Sequence, residues 1–234
     1  MGLVYLYDAN GNLLWLIEAT AFDFVKYAQL AQQLCAETGD GLLVFDPETK
    51  QVWIINADGS DGEFCGNGLQ ATAFHVGAQA MTLKMGLRSI QAMVDARGVC
   101  IVLDASVNEP KKMSWKGNEA YAIEMPNPHW VFIAPPAEWR LDQEGRACCV
   151  EHHVNVEWVR AASDCFVVDV YERGAGITAA CGSGALAVFE VLRYLGCVSQ
   201  QAKIKMPGGI LTVKAMGAKL SLQGQVHLLK SRVV

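Results

Sequence analysis

The chain has 234 residues, of which 52% are hydrophobic and 18% are charged, and its net charge at pH 7 is −5. This apolar content excludes intrinsic disorder, and the scattered basic residues exclude a nucleic-acid partner that needs a clustered basic surface. No apolar run reaches the roughly 18 residues of a membrane helix, and the N-terminus lacks the pattern of a signal peptide. We therefore expect a cytoplasmic protein with no membrane partner, whose eight cysteines are reduced.

The first predicted elements are two strands, Val4–Tyr7 and Leu13–Ile17, on either side of an Asn-Gly turn. A helix is predicted from an Asp23 cap to about Glu37. Further strands are predicted at Leu42–Phe45, Val52–Asn56, Val99–Leu103, Val131–Ala134, Phe166–Tyr171, Ile210–Val213 and Leu220–Leu222. Because no helix alternates regularly with these strands, the pattern favours an α+β fold with mainly antiparallel sheet.

A Cys-Gly-x-Gly sequence occurs twice, beginning at Cys65 and at Cys181. Each copy follows a predicted strand and precedes a helix-like apolar stretch, Leu69–Val76 in the first copy and Ala185–Leu195 in the second. The copies lie 181 − 65 = 116 residues apart, about half the chain. The spacing predicts two duplicated halves, residues 1–114 and 115–234, with the last strand able to pair back onto the first half.

Glycines at a helix start let the backbone approach a ligand, and the N–H groups there attract an anion. A cysteine in that position is expected to have a lowered pKa. Two such thiols on opposite walls of a cleft would suit removal of a proton from one face of a carbon and its return to the other face, as in cofactor-free racemases and epimerases of amino acids. The alternative is that both cysteines are buried residues at crowded glycine turns.

The motifs around these cysteines closely resemble the diaminopimelate epimerase family. The resemblance covers most of the chain in order and includes Asn-Ala-Asp-Gly-Ser at 56–60, Met-Pro-Asn-Pro-His at 125–129, Glu-Arg-Gly-Ala-Gly at 172–176 and Met-Pro-Gly-Gly at 206–209. It implies two pseudo-symmetric halves, each a sheet wrapped around a central helix, with the active site between them. It further implies interconversion of LL- and meso-diaminopimelate, for lysine and peptidoglycan precursor synthesis, without pyridoxal phosphate or metal.

The resemblance also assigns site residues. It implies that Cys65 and Cys181 are the acid–base pair, with His129 and Glu172 as polar partners of the two thiols. The residues that would hold the distal amino and carboxyl groups of the substrate are Asn12, Asn56, Asn127, Asn155 and Arg173. The residues that would bind the reacting carboxylate through backbone N–H groups are Gly66, Asn67, Gly182 and Ser183.

The chain departs from the family pattern at two places. The usual Gly-Leu-Gly-Asn-Asp-Phe motif reads Ala-Asn-Gly-Asn-Leu-Leu at 9–14, so that Asn12 is kept and its neighbours are not. Ile177 stands where the family usually has Glu. These departures leave open a related two-cysteine racemase that acts on histidine, lysine or glutamate. The Glu-Arg-Gly-Ala-Gly motif argues against the proline-racemase and phenazine-isomerase branches.

Other interpretations of the sequence remain alongside the racemase. A thiol-based metal-binding or redox module would use the same cysteines without isomerase activity. Cys148, Cys149, His152 and His153 suggest a metal site, but the cluster lacks a second paired element, and a mixed surface segment is the favoured interpretation. A loose dinucleotide-binding pattern at 174–179 lacks a helix directly after it. The oligomeric state is left open, a homodimer being one option.

Overall fold

A computed structural model describes residues 2–105 and 108–234, and the chain divides into two compact units. Unit 1 comprises the chain up to Val102 together with Gln223–Val234, and unit 2 comprises Leu103–Leu222. The division of the sequence into duplicated halves at residues 114 and 115 stays a prediction. Across the described residues, no helix has both the length and the apolar character of a membrane span.

The elements of each unit follow the chain in order. From the N-terminus they are β1 (Leu3–Ala9), β2 (Asn12–Glu18), α1 (Phe24–Cys35), β3 (Gly41–Phe45), β4 (Gln51–Asn56), β5 (Asp61–Gly62), α2 (Gly66–Val76), β6 (Ala80–Met85), β7 (Arg88–Asp95) and β8 (Gly98–Asp104). There follow β9 (Lys111–Trp115), β10 (Asn118–Met125), β11 (Asn127–Ile133), a π-helical turn (Leu141–Gly145), α3 (Arg146–His152), β12 (Asn155–Ala161), β13 (Phe166–Glu172), β14 (Gly176–Thr178), α4 (Gly182–Tyr194), β15 (Gln201–Met206), β16 (Gly209–Met216), β17 (Lys219–Gly224) and β18 (Val226–Val233).

Both units repeat one order of strand pairing. In unit 1, β2 pairs parallel with β3, β3 antiparallel with β4, and β4 parallel with β6. In unit 2, β11 pairs parallel with β12, β12 antiparallel with β13, and β13 parallel with β15. Parallel neighbours need a crossover, which α1 supplies between β2 and β3 and α3 supplies between β11 and β12. The predicted α+β class with two pseudo-symmetric halves is confirmed.

One buried helix stands at the centre of each unit. Every residue of α2 from Gly66 to Ala73 is buried, and so is every residue of α4 from Gly182 to Phe189. A helix that is covered on all sides belongs to the core, and the small glycines and alanines of its first turns let strands approach closely. Helix α2 packs against β1 and β7, and α4 packs against β10, β11 and β12.

The structure confirms the predicted strands, which fall within β1, β2, β3, β4, β8, β11, β13, β16 and β17, with Ala134 just beyond the end of β11. The predicted cap is also present, since Asp23 Oδ1 accepts a hydrogen bond from the backbone N–H of Lys26 at 3.2 Å. The helix ends at Cys35, two residues before the predicted Glu37. The prediction missed the other strands, which are β5, β6, β7, β9, β10, β12, β14, β15 and β18. Several of these strands bury only isolated side chains, so their apolar pattern is weak: β18 leaves most of its residues exposed.

Candidate active site

The two repeated cysteines occupy the same position in their units, the N-cap of a central helix. Cys65 caps α2 with φ −136° and ψ 102°, and Cys181 caps α4 with φ −128° and ψ 111°. Each Sγ accepts a hydrogen bond from the backbone N–H three residues later, that of Gly68 at 3.2 Å and that of Gly184 at 3.3 Å. The duplication inferred from the spacing of the motifs is therefore also present in the geometry of the two caps.

The backbone N–H of each cysteine is hydrogen-bonded to a methionine sulfur. The backbone N–H of Cys65 donates to Sδ of Met85, and that of Cys181 donates to Sδ of Met206, both at 3.3 Å. Met85 ends β6 and Met206 ends β15, the corresponding strand of the other unit. A thioether is a weak acceptor, so it holds the cysteine backbone while adding no charge beside the thiol.

The first turn of each helix offers N–H groups to a ligand. The first N–H groups of a helix have no acceptor in the helical ladder. In α2 these belong to Gly66 and Asn67, and in α4 to Gly182 and Ser183. All four residues are buried, so a carboxylate bound there would be shielded from bulk water.

Glu172 lies beside Cys181 in unit 2. The Glu172 carboxylate accepts hydrogen bonds from the Cys181 thiol and from the Thr178 hydroxyl, and Ser183 Oγ lies 3.4 Å from the Cys181 Sγ. Burial raises the pKa of Glu172 above its ordinary value, although the bonds from Cys181 and Thr178 oppose that shift. The site thus contains a carboxyl, a hydroxyl and a thiol in mutual contact.

The expected lowering of a cysteine pKa at a helix start is wrong for Cys181. Burial raises the pKa of Cys181 well above its ordinary value, and the neighbouring carboxylates of Glu172 and Glu157 raise it further. A helix N-terminus contributes at most about 2 kcal/mol toward an anion, and here desolvation and two negative charges outweigh it.

His129 lies on β11 and is fully buried. Its Nδ1 is 2.6 Å from Oε1 of Glu157, a buried carboxyl on β12 that was not among the predicted site residues. Charge interactions with Glu172 connect this pair to the Cys181 group. The sequence contained a signal for Glu157, because this residue lies two positions after Asn155, a predicted substrate-binding residue. Alternate residues of a strand share one face, so both side chains are expected on the same side of the sheet.

The predicted substrate-binding residues of unit 2 fall into different environments. Asn155 is buried, and its Oδ1 accepts a hydrogen bond from the backbone N–H of Arg173 at 2.8 Å, so this asparagine fixes the end of β13. The Arg173 residue itself is exposed. Asn127 begins β11 half-buried, and Ile177, at the position where the family usually has Glu, is exposed.

In unit 1, Asn56 is held within the turn that follows β4, where its Nδ2 donates to Oγ of Ser60 at 2.9 Å. Asn12 begins β2, and its buried Oδ1 has no hydrogen-bond partner among the residues that the structure describes. This orphaned acceptor is suited to the ammonium or N–H group of a ligand.

Within the altered motif at 9–14, Asn10 is held by several hydrogen bonds. The buried Asn10 side chain donates to Oδ1 of Asn67 at 3.1 Å and to Oε1 of Gln70 at 2.9 Å. Its Oδ1 accepts the backbone N–H of Gln225 at 2.8 Å, and its φ of 59° is one that asparagine tolerates well. Asn10 therefore connects the β1–β2 turn to the start of α2.

The prediction that Cys148 and Cys149 belong to a mixed surface segment is wrong. Both lie buried on α3 and pack in one cluster with Trp130 and Trp158. Burial raises the pKa of Cys148 to about 12 and also raises that of Cys149. Within the described part of the chain, no cluster of histidine, cysteine, aspartate and glutamate could hold a metal ion.

The sequence comparisons with known proteins agree on one family. The sequence profile described as diaminopimelate epimerase matches residues 121–228. A diaminopimelate epimerase from Desulforapulum autotrophicum is 30% identical, with 90% of this chain and 86% of the relative covered. One from Thermotoga maritima is 29% identical, with 94% and 97% covered.

Solved structures share the fold at low sequence identity. A phenazine biosynthesis PhzF family protein from Enterococcus faecalis superposes with a TM-score of 0.77 at 13% identity, covering 98% of this chain and 97% of the other. A predicted epimerase from Pseudomonas aeruginosa gives a TM-score of 0.76, also at 13% identity, over 100% and 99% of the two chains. The two-unit architecture is thus a known one.

Proposed function

Because the chain belongs to the diaminopimelate epimerase family, it is an isomerase, and we propose that it interconverts LL- and meso-2,6-diaminopimelate without a cofactor. The observation that carries this proposal is the matched placement of Cys65 and Cys181. Each thiol caps a buried helix whose first N–H groups are suited to a carboxylate. We further propose that the reaction serves lysine and peptidoglycan precursor synthesis in the cytoplasm.

In the proposed reaction, the thiolate of one cysteine removes the α-proton while the thiol of the other donates a proton to the opposite face. One Cα–H bond breaks and one S–H bond forms, and the reverse happens at the second sulfur. The product has inverted configuration, and the two sulfurs have exchanged protonation states. The N–H groups of Gly66, Asn67, Gly182 and Ser183 stabilise the negative charge that develops on the carboxylate.

The remaining site residues would divide between proton handling and substrate recognition. His129 and Glu172 assist the two thiols. Arg173 would grip the distal carboxylate, because a guanidinium matches a carboxylate with two parallel hydrogen bonds. The asparagines that would complete the distal subsite are Asn12, Asn56, Asn127 and Asn155. A homodimer is compatible with these roles and is not required by them.

The test is incubation of the purified protein with LL-diaminopimelate in deuterated water. We expect deuterium at one α-carbon together with formation of the meso isomer. Cys65→Ala and Cys181→Ala should each abolish isomer formation while the circular dichroism spectrum stays unchanged, because each variant lacks one of the two proton carriers. Cys197→Ala, which changes an exposed cysteine, is the matched control and should keep full activity.

Three results would contradict this proposal. Substantial epimerisation by either active-site cysteine variant would rule out the two-base mechanism. Exchange of histidine, lysine or glutamate in place of diaminopimelate would assign a related racemase. Stoichiometric metal binding or thiol oxidation without any α-proton exchange would assign a metal-binding or redox module.

A further inference from the structure

Glu157 is a buried carboxyl that has no role in the proposed reaction. The side chain has 0% exposure and belongs to β12 in unit 2. Burying a carboxylate is costly unless a partner compensates its charge, so such a residue is rarely kept for packing alone. The residues that contact Glu157 are therefore expected to indicate what the carboxyl does.

Strand register places the Glu157 side chain on the same face of the sheet as that of Asn155. In the parallel pairing of β11 with β12, His129 lies opposite Asn155. Glu157 is two residues farther along, so its side chain projects to the same face as that of Asn155. Val156 and Trp158 project to the other face and pack in the cluster that includes Cys148 and Cys149.

The contact between Glu157 and His129 fixes one ring nitrogen. Oε1 of Glu157 lies 2.6 Å from Nδ1 of His129, and a carboxylate can only accept, so Nδ1 is the donor. The other atoms of the pair, Nε2 of His129 and Oε2 of Glu157, are buried without a hydrogen-bond partner among the described residues. A pair kept only for structure would be expected to satisfy these atoms.

Helix α4 leaves room for this carboxylate. A Cβ at Gly184 would lie 2.7 Å from Oε1 of Glu157, so any larger residue would displace the carboxylate from His129. The backbone N–H of Gly184 also donates to Sγ of Cys181. The titratable groups influenced by Glu157 lie on α3, at the end of β13 and at the N-cap of α4; they are Cys148, Cys149, Glu172 and Cys181.

We propose that Glu157 is a positioning residue that holds His129 with its hydrogen on Nδ1 and leaves Nε2 directed at the reacting centre. The proposal rests on the proposed function for the role of His129. Carboxylate–imidazole pairs orient catalytic and metal-binding histidines in this way.

Glu157→Gln is the informative variant, because it keeps the size and removes the charge. The glutamine amide can donate its N–H to Nδ1, which stabilises the opposite tautomer, with the hydrogen on Nε2. We expect kcat to fall by about 10²-fold or more while KM stays within about twofold, as for amide replacement of an orienting carboxylate in a hydrolytic triad. Glu190→Gln removes a carboxylate that pairs with Arg193 on α4 and should leave kcat unchanged.

A second measurement does not depend on activity. In protein labelled with ¹⁵N at histidine, the imidazole spectrum should show His129 Nδ1 carrying hydrogen in the wild type and losing it in Glu157→Gln. If the wild type does not exchange diaminopimelate protons, the proposed function fails, whereas the Nδ1 signal still tests the orientation. Gly184→Ala keeps the carboxylate but displaces it, so it should give the same loss of Nδ1 hydrogen if Glu157→Gln does not fold. An unchanged Nδ1 signal, or a lower melting temperature with unchanged kcat, would overturn the positioning role.

Discussion

Cys181 shows how local charge overrides the position of a residue on a helix. The thiol caps α4, where the helix dipole favours an anion, but the thiol is buried and faces the carboxylates of Glu172 and Glu157. Because these factors raise the pKa of Cys181, the thiol keeps its proton at neutral pH when no substrate is bound. That is the state that the proposed proton donor requires.

The buried thiol of Cys148 gives a prediction about stability at alkaline pH. Its pKa in the folded chain is about 12, and in the unfolded chain about 8.5. Its contribution is therefore fully present below pH 8.5 and is lost as the pH rises toward 12, because only the unfolded chain releases the proton. By pH 10 this amounts to about 2 kcal/mol. Cys148→Ala should lose that part of the alkaline slope in urea unfolding measured between pH 7 and pH 10.

The control is Cys197→Ala, which removes an exposed cysteine. It should leave the alkaline slope of the unfolding free energy as in the wild type. Cys148→Ala also creates a small cavity, so its stability at pH 7 should be lower, and only the dependence on pH is diagnostic. Equal slopes for both variants and the wild type would mean that Cys148 ionises equally easily in the folded and unfolded chains.

At the scale of elements, the hairpin of β7 and β8 packs against the C-terminal segment of unit 1 at Gly98, where the two backbones approach closely. Gly98 has φ 116°, and a Cβ there would lie 2.2 Å from the carbonyl oxygen of Gly224. A backbone carbonyl cannot rotate away as a side chain can. Gln225 secures the same contact, because its Nε2 donates to the Arg97 carbonyl at 2.7 Å.

Alanine substitutions at Gly98 and at a control glycine separate the cost of a left-handed backbone from the cost of the close approach to Gly224. Gly98→Ala should lower the free energy of unfolding by about 2–5 kcal/mol, combining the left-handed backbone penalty with overpacking. Gly77→Ala is the matched control, because Gly77 has φ 70° and nothing within 4 Å of the added Cβ. It should cost only about 1–2 kcal/mol in the same chemical denaturation assay. Equal losses in the two variants would show that the approach of Gly224 imposes no constraint.

At the scale of the whole molecule, the last residues of the chain complete the unit that the first residues begin. Strand β18 pairs antiparallel with β1 from Leu3 to Ala9, and the backbone N–H of Gly2 donates to the carbonyl of Val234. Asn10 adds a side-chain bond to Gln225 across a separation of 215 residues. Unit 1 is thus closed by contacts that form only when both ends of the chain are present.

Asn10→Gly tests this closure without adding strain, since glycine accepts a φ of 59° freely. We expect the amides of β18 to exchange with deuterium faster and the free energy of unfolding to fall by about 1–3 kcal/mol, because Gln70 and Gln225 lose a buried partner. Lys50→Gly changes an exposed residue at φ 62° in the same unit and should leave β18 protected. Unchanged exchange in Asn10→Gly would show that strand pairing alone holds the segment.

The sequence by itself determined the features that depend on neighbouring residues. The strands that alternate or bury whole runs, the Asp23 cap and the repeated Cys-Gly-x-Gly before an apolar helix are local patterns, and each was found where predicted. The lack of regular alternation between helices and strands indicated the α+β class. The repeat indicated two duplicated halves, because two copies of one motif in one setting imply two copies of one fold. Membership of the family followed from the same short motifs.

Tertiary structure alone decided what depends on distant residues. The contact of Glu157 with His129 needs the parallel register of β11 and β12, and the exposed strand β18 exists only because β1 offers it a partner. The high pKa of Cys181 likewise depends on two carboxylates brought from β12 and β13. Burial and charge act through space, so residues far apart in the chain set the chemistry of a motif whose position the sequence had already indicated.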